Sequence, residues 1–263
     1  MGVNRDDWKA EFRKDTLLVW PCPACRISPL RLVPDTLKKR ETKASKAEHN
    51  HPAWEPEWID GRFSCMMDCG HCGNAVGATG TYRVQDDRYV DPIEGESGDY
   101  EEHYKVKYFT ESPHLFEIPE LTPESVREEL IASFQLFWSD PLACTNRIRS
   151  SVEKLLTAQG VHQTTGRTPS KGKRQFLTLH RRIELYAEEQ PRLAASLMAS
   201  KWIGNAGSHA KSIAVDDALD GYELMDGVLH DLYAKRQHRV PVLTREINRR
   251  RAPRSPRRPS AGG

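Results

Sequence analysis

Two groups of residues in this chain combine side-chain type and spacing in ways that chemistry uses. The first is a pair of cysteine doublets, Cys22-Pro-Ala-Cys25 and Cys69-Gly-His-Cys72. Each folds into a tight turn that aims two thiolates at one ion, and four such sulfurs suit tetrahedral Zn2+. Pro21 and Pro23 stiffen the first turn, and Gly70 and Gly73 free the second. Disulfides are the competing use of these residues. A bridge within a doublet is strained, and a chain read as lacking a secretory segment is expected in a reducing compartment. Cys22, Cys25, Cys69 and Cys72 are therefore the expected metal ligands. A closed four-thiolate site has no open position for water or substrate, so its zinc is structural, contributing on the order of 10 kcal/mol to folding. Cys65 and His71 compete for the fourth position. Cys65 reads more easily as a strand residue entering the knuckle, and His71 as an outward-pointing turn residue. Cys144 falls in a helical stretch and behaves as a small buried hydrophobe.

The second group is Trp202-Ile-Gly-Asn-Ala-Gly-Ser-His209. By residue type alone, Asn205 and His209 can serve catalysis, ligand or nucleic-acid binding, or structural hydrogen bonding. Gly204 and Gly207 would each cost about 1 kcal/mol inside a helix. The helix is therefore expected to end there, with Asn205 tying down the turn and His209 bonding to a neighbouring helix.

The elements that must position these groups imply an α+β chain of two modules, each with its own core. Residues 1–121 read as a zinc ribbon with a small antiparallel β-sheet, because Thr81-Tyr-Arg-Val and Tyr104-Lys-Val-Lys-Tyr-Phe alternate as half-buried strands do. The acidic stretch from Asp86 to Glu102 and the charged stretch from Lys38 to Glu48 read as loops. Trp54 and Trp58 cover a small core or stack on bases. Residues 122–238 read as a helical bundle of four or five helices, starting after Thr122, at Asp140-Pro141, before Phe176, at Pro191 and near Val215. Gly160 ends the second.

Residues 239–263 contain eight Arg and one Glu, a net +7 against +2 for the whole chain, which leaves −5 for residues 1–238. This Arg/Pro-rich tail is expected to be disordered, and it either contacts nucleic-acid phosphates, with the basic loop carrying Arg167, Lys171, Lys173 and Arg174, or is a solvated terminus. Arg249, Arg250 and Arg251 are its candidate contacts. No apolar run reaches the roughly 18 residues of a membrane span, so the expected location is the cytoplasm and no membrane is a partner.

The helical half resembles the bacterial family catalogued as domain of unknown function 4145. The residues that carry the likeness are Asn146-Arg-Ile-Arg-Ser-Ser-Val-Glu-Lys-Leu-Leu, Leu179-His-Arg-Arg-Ile-Glu-Leu-Tyr, Gly204-Asn205-Ala-Gly-Ser-His209 and the final Leu232-Tyr233; the opening Trp20-Pro-Cys-Pro-Ala-Cys looks like the zinc ribbon that precedes it. That family is similar in turn to the HEPN superfamily of RNA-processing and defence proteins. The resemblance implies a HEPN-like bundle, a second copy as partner, and Asn205 and His209 in the catalytic positions. Gly204 stands where active members carry the arginine that works with the histidine on an RNA phosphodiester, which argues against an enzyme. Lys201, Arg192, Arg147 and Arg149 are the candidate substitutes for its charge. The expected function is a zinc-containing, noncatalytic component binding RNA, DNA or a protein partner in a defence or toxin–antitoxin setting; the alternative is a metal-independent ribonuclease using His209.

Overall fold

The computed structural model describes residues 5–15, 18–87, 89–91, 95–97, 99–165, 175–209 and 213–250. Helix α1 (Arg5–Lys9) leads into an antiparallel sheet built on strands β3 (Asp60–Cys69), β4 (Ala75–Asp86) and β7 (Tyr100–Phe109). Sequence alternation becomes facedness here. Phe63, Cys65, Met67 and Cys69 of β3, and Val76, Ala78, Tyr82 and Val84 of β4, all point to the buried face. Strands β1 (Leu30–Leu32) and β2 (Lys38–Glu41) line the free edge of β3 in series, joined by one 3-10 turn at Pro34–Thr36.

Part of the sequence expectation for this half is corrected. The stretch from Lys38 to Glu48, expected as a loop, supplies β2 and helix α2 (Lys43–Glu48), whose start is capped by the Thr42 hydroxyl accepting from Ser45 N–H at 3.2 Å. Its charged residues do not exclude a strand because β2 is an edge, where one side stays in water. The stretch from Asp86 to Glu102 likewise includes a short hairpin of β5 (Tyr89–Asp91) and β6 (Gly95–Ser97) and the start of β7.

The buried sheet face is closed by the amino-terminal segment. Phe12 exchanges backbone hydrogen bonds with Tyr104 at 2.8 and 3.0 Å, stacks on its ring at 5.2 Å, and meets Phe63 edge-on at 5.6 Å. Trp20 continues the cluster onto Phe109 and Trp138, whose ring centroids stand 5.6 and 5.1 Å away. Trp138 is the first residue beyond helix α3 (Glu124–Phe137). The sheet and the helices therefore share one continuous core rather than the separate cores expected of two modules.

The helical half comprises α3, α4 (Pro141–Ala158), α5 (Leu179–Ala187), α6 (Pro191–His209), α7 (Val215–Tyr233) and α8 (Lys235–Arg250). Its apolar stripes interlock as their spacing predicts: Val126, Leu130 and Phe134 of α3, Ile148, Val152 and Leu155 of α4, and Tyr222, Met225 and Leu229 of α7 are all buried. The end of α4 is held by Arg182 of α5. Its guanidinium donates to the carbonyls of Glu153 and Val161 and to the Thr157 hydroxyl at 2.8–3.2 Å, where a helix terminus favours positive charge. Cys144 is fully buried beside the Tyr222 hydroxyl at 3.0 Å, and burial pushes its thiol up to about 12. Residues 239–250, expected within a disordered tail, form the second part of α8; residues 251–263 lie outside the described residues. No helix among the described residues is long and apolar enough to cross a membrane.

Where the two halves meet, the chain from Ser112 to Pro119 crosses from the sheet to α3. Ser112 Oγ accepts from Trp138 Nε1 at 2.9 Å and donates to the Phe134 carbonyl at 3.0 Å. His114 lies on the ring of Phe134 at 5.2 Å, and burial holds its imidazole down to about 4. An unfolded histidine takes up a proton near 6.5, whereas this one stays neutral until about pH 4, so stability falls on acidification through that window. His114→Gln is expected to remove up to about 3 kcal/mol of that loss, read as a smaller drop in urea midpoint between pH 7 and pH 4.5 than the unaltered protein shows.

Candidate metal centre and the glycine-rich end of α6

The two knuckles are built alike. Arg26 N–H donates to the Cys22 carbonyl at 2.9 Å and Gly73 N–H to the Cys69 carbonyl at 3.0 Å. Both donors have the left-handed backbone that closes such a turn, with φ of 57° and 73°. Arg26 holds this conformation without a glycine's freedom, which sequence reading did not anticipate. The knuckles are brought together by sheet register, because β1 leaves the first one and pairs with the end of β3 so that Leu30 opposes Cys69. Trp20 packs beneath, and its backbone carbonyl accepts from Leu30 N–H at 2.9 Å.

The result is one cluster of four sulfurs. Cys22, Cys25, Cys69 and Cys72 have their Sγ atoms all within 4.8 Å of one another and could hold a metal ion. Cys22 and Cys72 are 3.8 Å apart, and Cys25 and Cys69 are 3.5 Å apart. A tetrahedral ion with metal–sulfur bonds of about 2.3 Å sets its sulfurs about 3.8 Å apart, so the spacing fits. The donor set fits as well. The backbone N–H of Cys72, with that of His71, points at Cys69 Sγ, and these bonds pull its thiol down to about 6. None of the six cysteines forms a disulfide. Cys65 belongs to the buried face of β3 and stays outside the cluster, its thiol pushed up to about 11 by burial. His71 is an exposed residue of the turn.

At the other group the structure corrects the sequence expectation. Helix α6 does not end at Gly204 but runs from Pro191 to His209. The reason is packing against α4. A Cβ at position 204 would meet Arg149 Cβ at 2.6 Å and the Thr145 carbonyl oxygen at 3.1 Å. The glycine is there because two helices touch, not because one stops. Arg149 thus lies directly over the position where the resemblance asks for an arginine. Its guanidinium pairs with Glu153 at 3.2 Å, while its Nε is buried with no partner among the described residues.

Of the other candidate cations, Arg147 pairs with Glu129 at 3.1 Å and Arg192 with Asp231 at 3.5 Å. Lys201 is 7% exposed, with Nζ 3.5 Å from the centre of the Trp202 ring. Asn205 is half-buried, one turn beyond Lys201. His209 is the last residue of α6, and its side chain lies outside the described residues. Arg167, Lys171, Lys173, Arg174 and Arg251 also lie outside them. Arg249 and Arg250 are exposed at the end of α8. Trp58 is partly exposed, whereas Trp54 is half-buried with a buried Nε1.

Sequence reading missed one further feature, a cavity of about 740 Å³ between the first knuckle, the crossing segment and α7. Arg26, His114, Phe116, Asp226, His230 and Tyr233 line it. They come from three separate stretches of chain, and no local pattern links them.

Two outcomes follow from this geometry. Cys22→Ser and Cys69→Ser are each expected to abolish stoichiometric metal and melt the sheet half, while Cys65→Ser retains one metal per chain; metal analysis with far-UV circular dichroism checks this. Gly204→Ala is expected to destabilise the protein by about 1–3 kcal/mol despite alanine's better helix propensity, because the new Cβ overlaps α4; thermal unfolding measures it.

Comparison with known families gives two matches, one for each half. Residues 10–109 match the family model described as Domain of unknown function (DUF8608), and residues 132–250 match Domain of unknown function (DUF4145). No curated protein and no solved structure matches the chain. The second match agrees with the resemblance drawn from the helical residues and extends through the whole of α8.

Proposed function

We propose that this chain is a zinc-carrying, noncatalytic nucleic-acid-binding protein in which a structural zinc centre supports a HEPN-like bundle and a basic helix meets phosphate. Zinc would be held by Cys22, Cys25, Cys69 and Cys72. It supplies folding energy and no chemistry, because four thiolates fill its coordination sphere. The observation that carries the reading is α8. Its sixteen residues contain six Lys or Arg and one acid, Glu246. Arg245, Arg249 and Arg250 are exposed on it. The Arg-rich residues that follow extend the same charge. A helix of this kind offers several phosphate contacts without needing a fixed sequence. The resemblance of the bundle to RNA-processing and defence proteins supports the same class of partner.

A second reading has one observation in its favour. The side-chain stem of Arg149 on α4 lies over Gly204, which brings an arginine next to α6 even though α6 carries none at that position. Together with His209 it would form a metal-independent ribonuclease.

One preparation tests both. Binding of labelled RNA and DNA is measured by fluorescence anisotropy across salt concentrations, and cleavage is followed in the presence of a chelator. The first reading expects salt-sensitive binding, with Arg245→Gln, Arg249→Gln and Arg250→Gln together lowering the slope of log affinity against log salt by about two to three, and no cleavage. Absence of binding even at low salt overturns it. Cleavage that leaves a cyclic phosphate and is lost in both His209→Ala and Arg149→Ala establishes the second reading instead.

A further inference from the structure

Lys201 is the most unusual charge among the described residues. It is 7% exposed on α6, and none of the described carboxylates forms an ion pair with it within 4.0 Å. Its described partners are the face of the Trp202 indole and Nδ1 of His180 on α5, 3.4 Å from Nζ. An ammonium only donates, so Nδ1 accepts and the imidazole proton sits on Nε2, facing Glu184 Oε1 at 3.3 Å. The negative charge nearest in this chain of contacts is thus one imidazole away and on an exposed side chain. A buried cation costs several kcal/mol unless a charge of opposite sign answers it. The second cation on this side, Arg149, has a buried Nε with no partner among the described residues and packs on Gly204, within one turn of Lys201 on α6.

Beside Lys201, and beside Arg149, whose guanidinium is paired with Glu153 while its Nε is not, stands a large ring left in water. Trp202 is 55% exposed, and its ring lies edge-to-face with His180 at 6.0 Å. One face carries Lys201 Nζ, and the exposure leaves indole surface open to a visitor. A ligand that satisfies both features at once has an anionic group next to a flat ring. A nucleotide within a single strand has both, whereas in a duplex the bases are already stacked on each other.

We propose that the α5–α6 face around Lys201 and Trp202 is a binding site for single-stranded nucleic acid, with an unpaired base stacked on Trp202 and the adjoining phosphate answered by Lys201 and Arg149. This deepens the nucleic-acid reading above and rests on it. The site is formed by residues of α5 and α6 and not of α8, so the two contributions divide. The arginines of α8 set affinity for any phosphate backbone, and Trp202 sets the preference for single strands.

The test uses the full-length, metal-loaded protein and labelled oligonucleotides of one length, single-stranded and duplex. Trp202→Ala is expected to weaken single-strand binding about ten- to a hundredfold while leaving duplex binding unchanged. Trp202→Phe, which keeps a ring, is expected to retain most of the affinity. Lys201→Gln is expected to lower the salt slope for single strands by about one. Trp202→Ala removes the ring that covers Lys201, so its thermal midpoint accompanies the titrations, and Trp202→Phe, which keeps a ring there, separates lost stacking from lost stability. Unchanged single-strand affinity in Trp202→Ala overturns the site while leaving the α8 reading standing. A change of oligomeric state in that variant, with binding unaltered, overturns it in favour of a contact between copies of the chain. No binding of any nucleic acid by the unaltered protein overturns both.

Discussion

Trp20 and Trp138 touch at 5.1 Å, and the rest of the molecule is arranged around that contact. Trp20 sits two residues before Cys22, the first cysteine of the sulfur cluster, and its indole N–H is tied to the Asp7 carbonyl at 2.8 Å. Trp138 follows α3 directly and is tied to Ser112 in the crossing segment. Phe109 at the end of β7 packs against both rings. The knuckle, the sheet and the bundle are therefore joined through apolar surface that none could bury alone. Large aromatic rings suit this role because each removes far more area from water than an aliphatic side chain. The charged contacts around the joint are of a different kind. Arg5 pairs with Asp220 and Glu223 of α7, and Lys9 with Asp216, on side chains that are partly or fully in water, where such pairs contribute little and mainly set orientation.

The four-sulfur cluster inherits its geometry from this arrangement. Two turns closed by left-handed residues present two sulfurs each, but their convergence depends on Leu30 opposing Cys69 across the sheet edge. The glycine-rich end of α6 inherits its geometry from another close approach. At Gly204 two helices come together so tightly that a single methyl group would overlap Arg149. The same contact that leaves α6 without an arginine there brings one over from α4. Local sequence similarity cannot register such an exchange, because the two residues are 55 positions apart while their atoms are in contact.

Much of this was legible beforehand for a definite physical reason. The four clustered cysteines follow from spacing alone, since a doublet turn is a local object. Strands β3, β4 and β7 and helices α3, α4 and α7 follow from apolar periods of two and 3.6 residues, which report facedness directly. The failures have equally definite causes. β2 and α2 lie at an edge, where composition resembles that of a loop. Gly204 obeyed the helix-propensity rule in isolation and broke it in place, because packing against α4 outweighs a cost of about 1 kcal/mol. Residues 239–250 read as tail because their charge suggested solvation, although charge is no obstacle to a helix that keeps most of its surface in water.

The sequence by itself determined which residues can ligate a metal, which strongly periodic stretches are strands or helices, and where positive charge accumulates, because each is a property of neighbouring residues. Tertiary structure alone decided that the two halves share one core, that Cys65 stands apart from the sulfur cluster, that Arg149 overlies Gly204, and that Lys201 is buried between an indole and an imidazole. These are contacts between residues distant in the chain or settled by burial. They exist only once the aromatic joint and the helix crossings have fixed which surfaces meet.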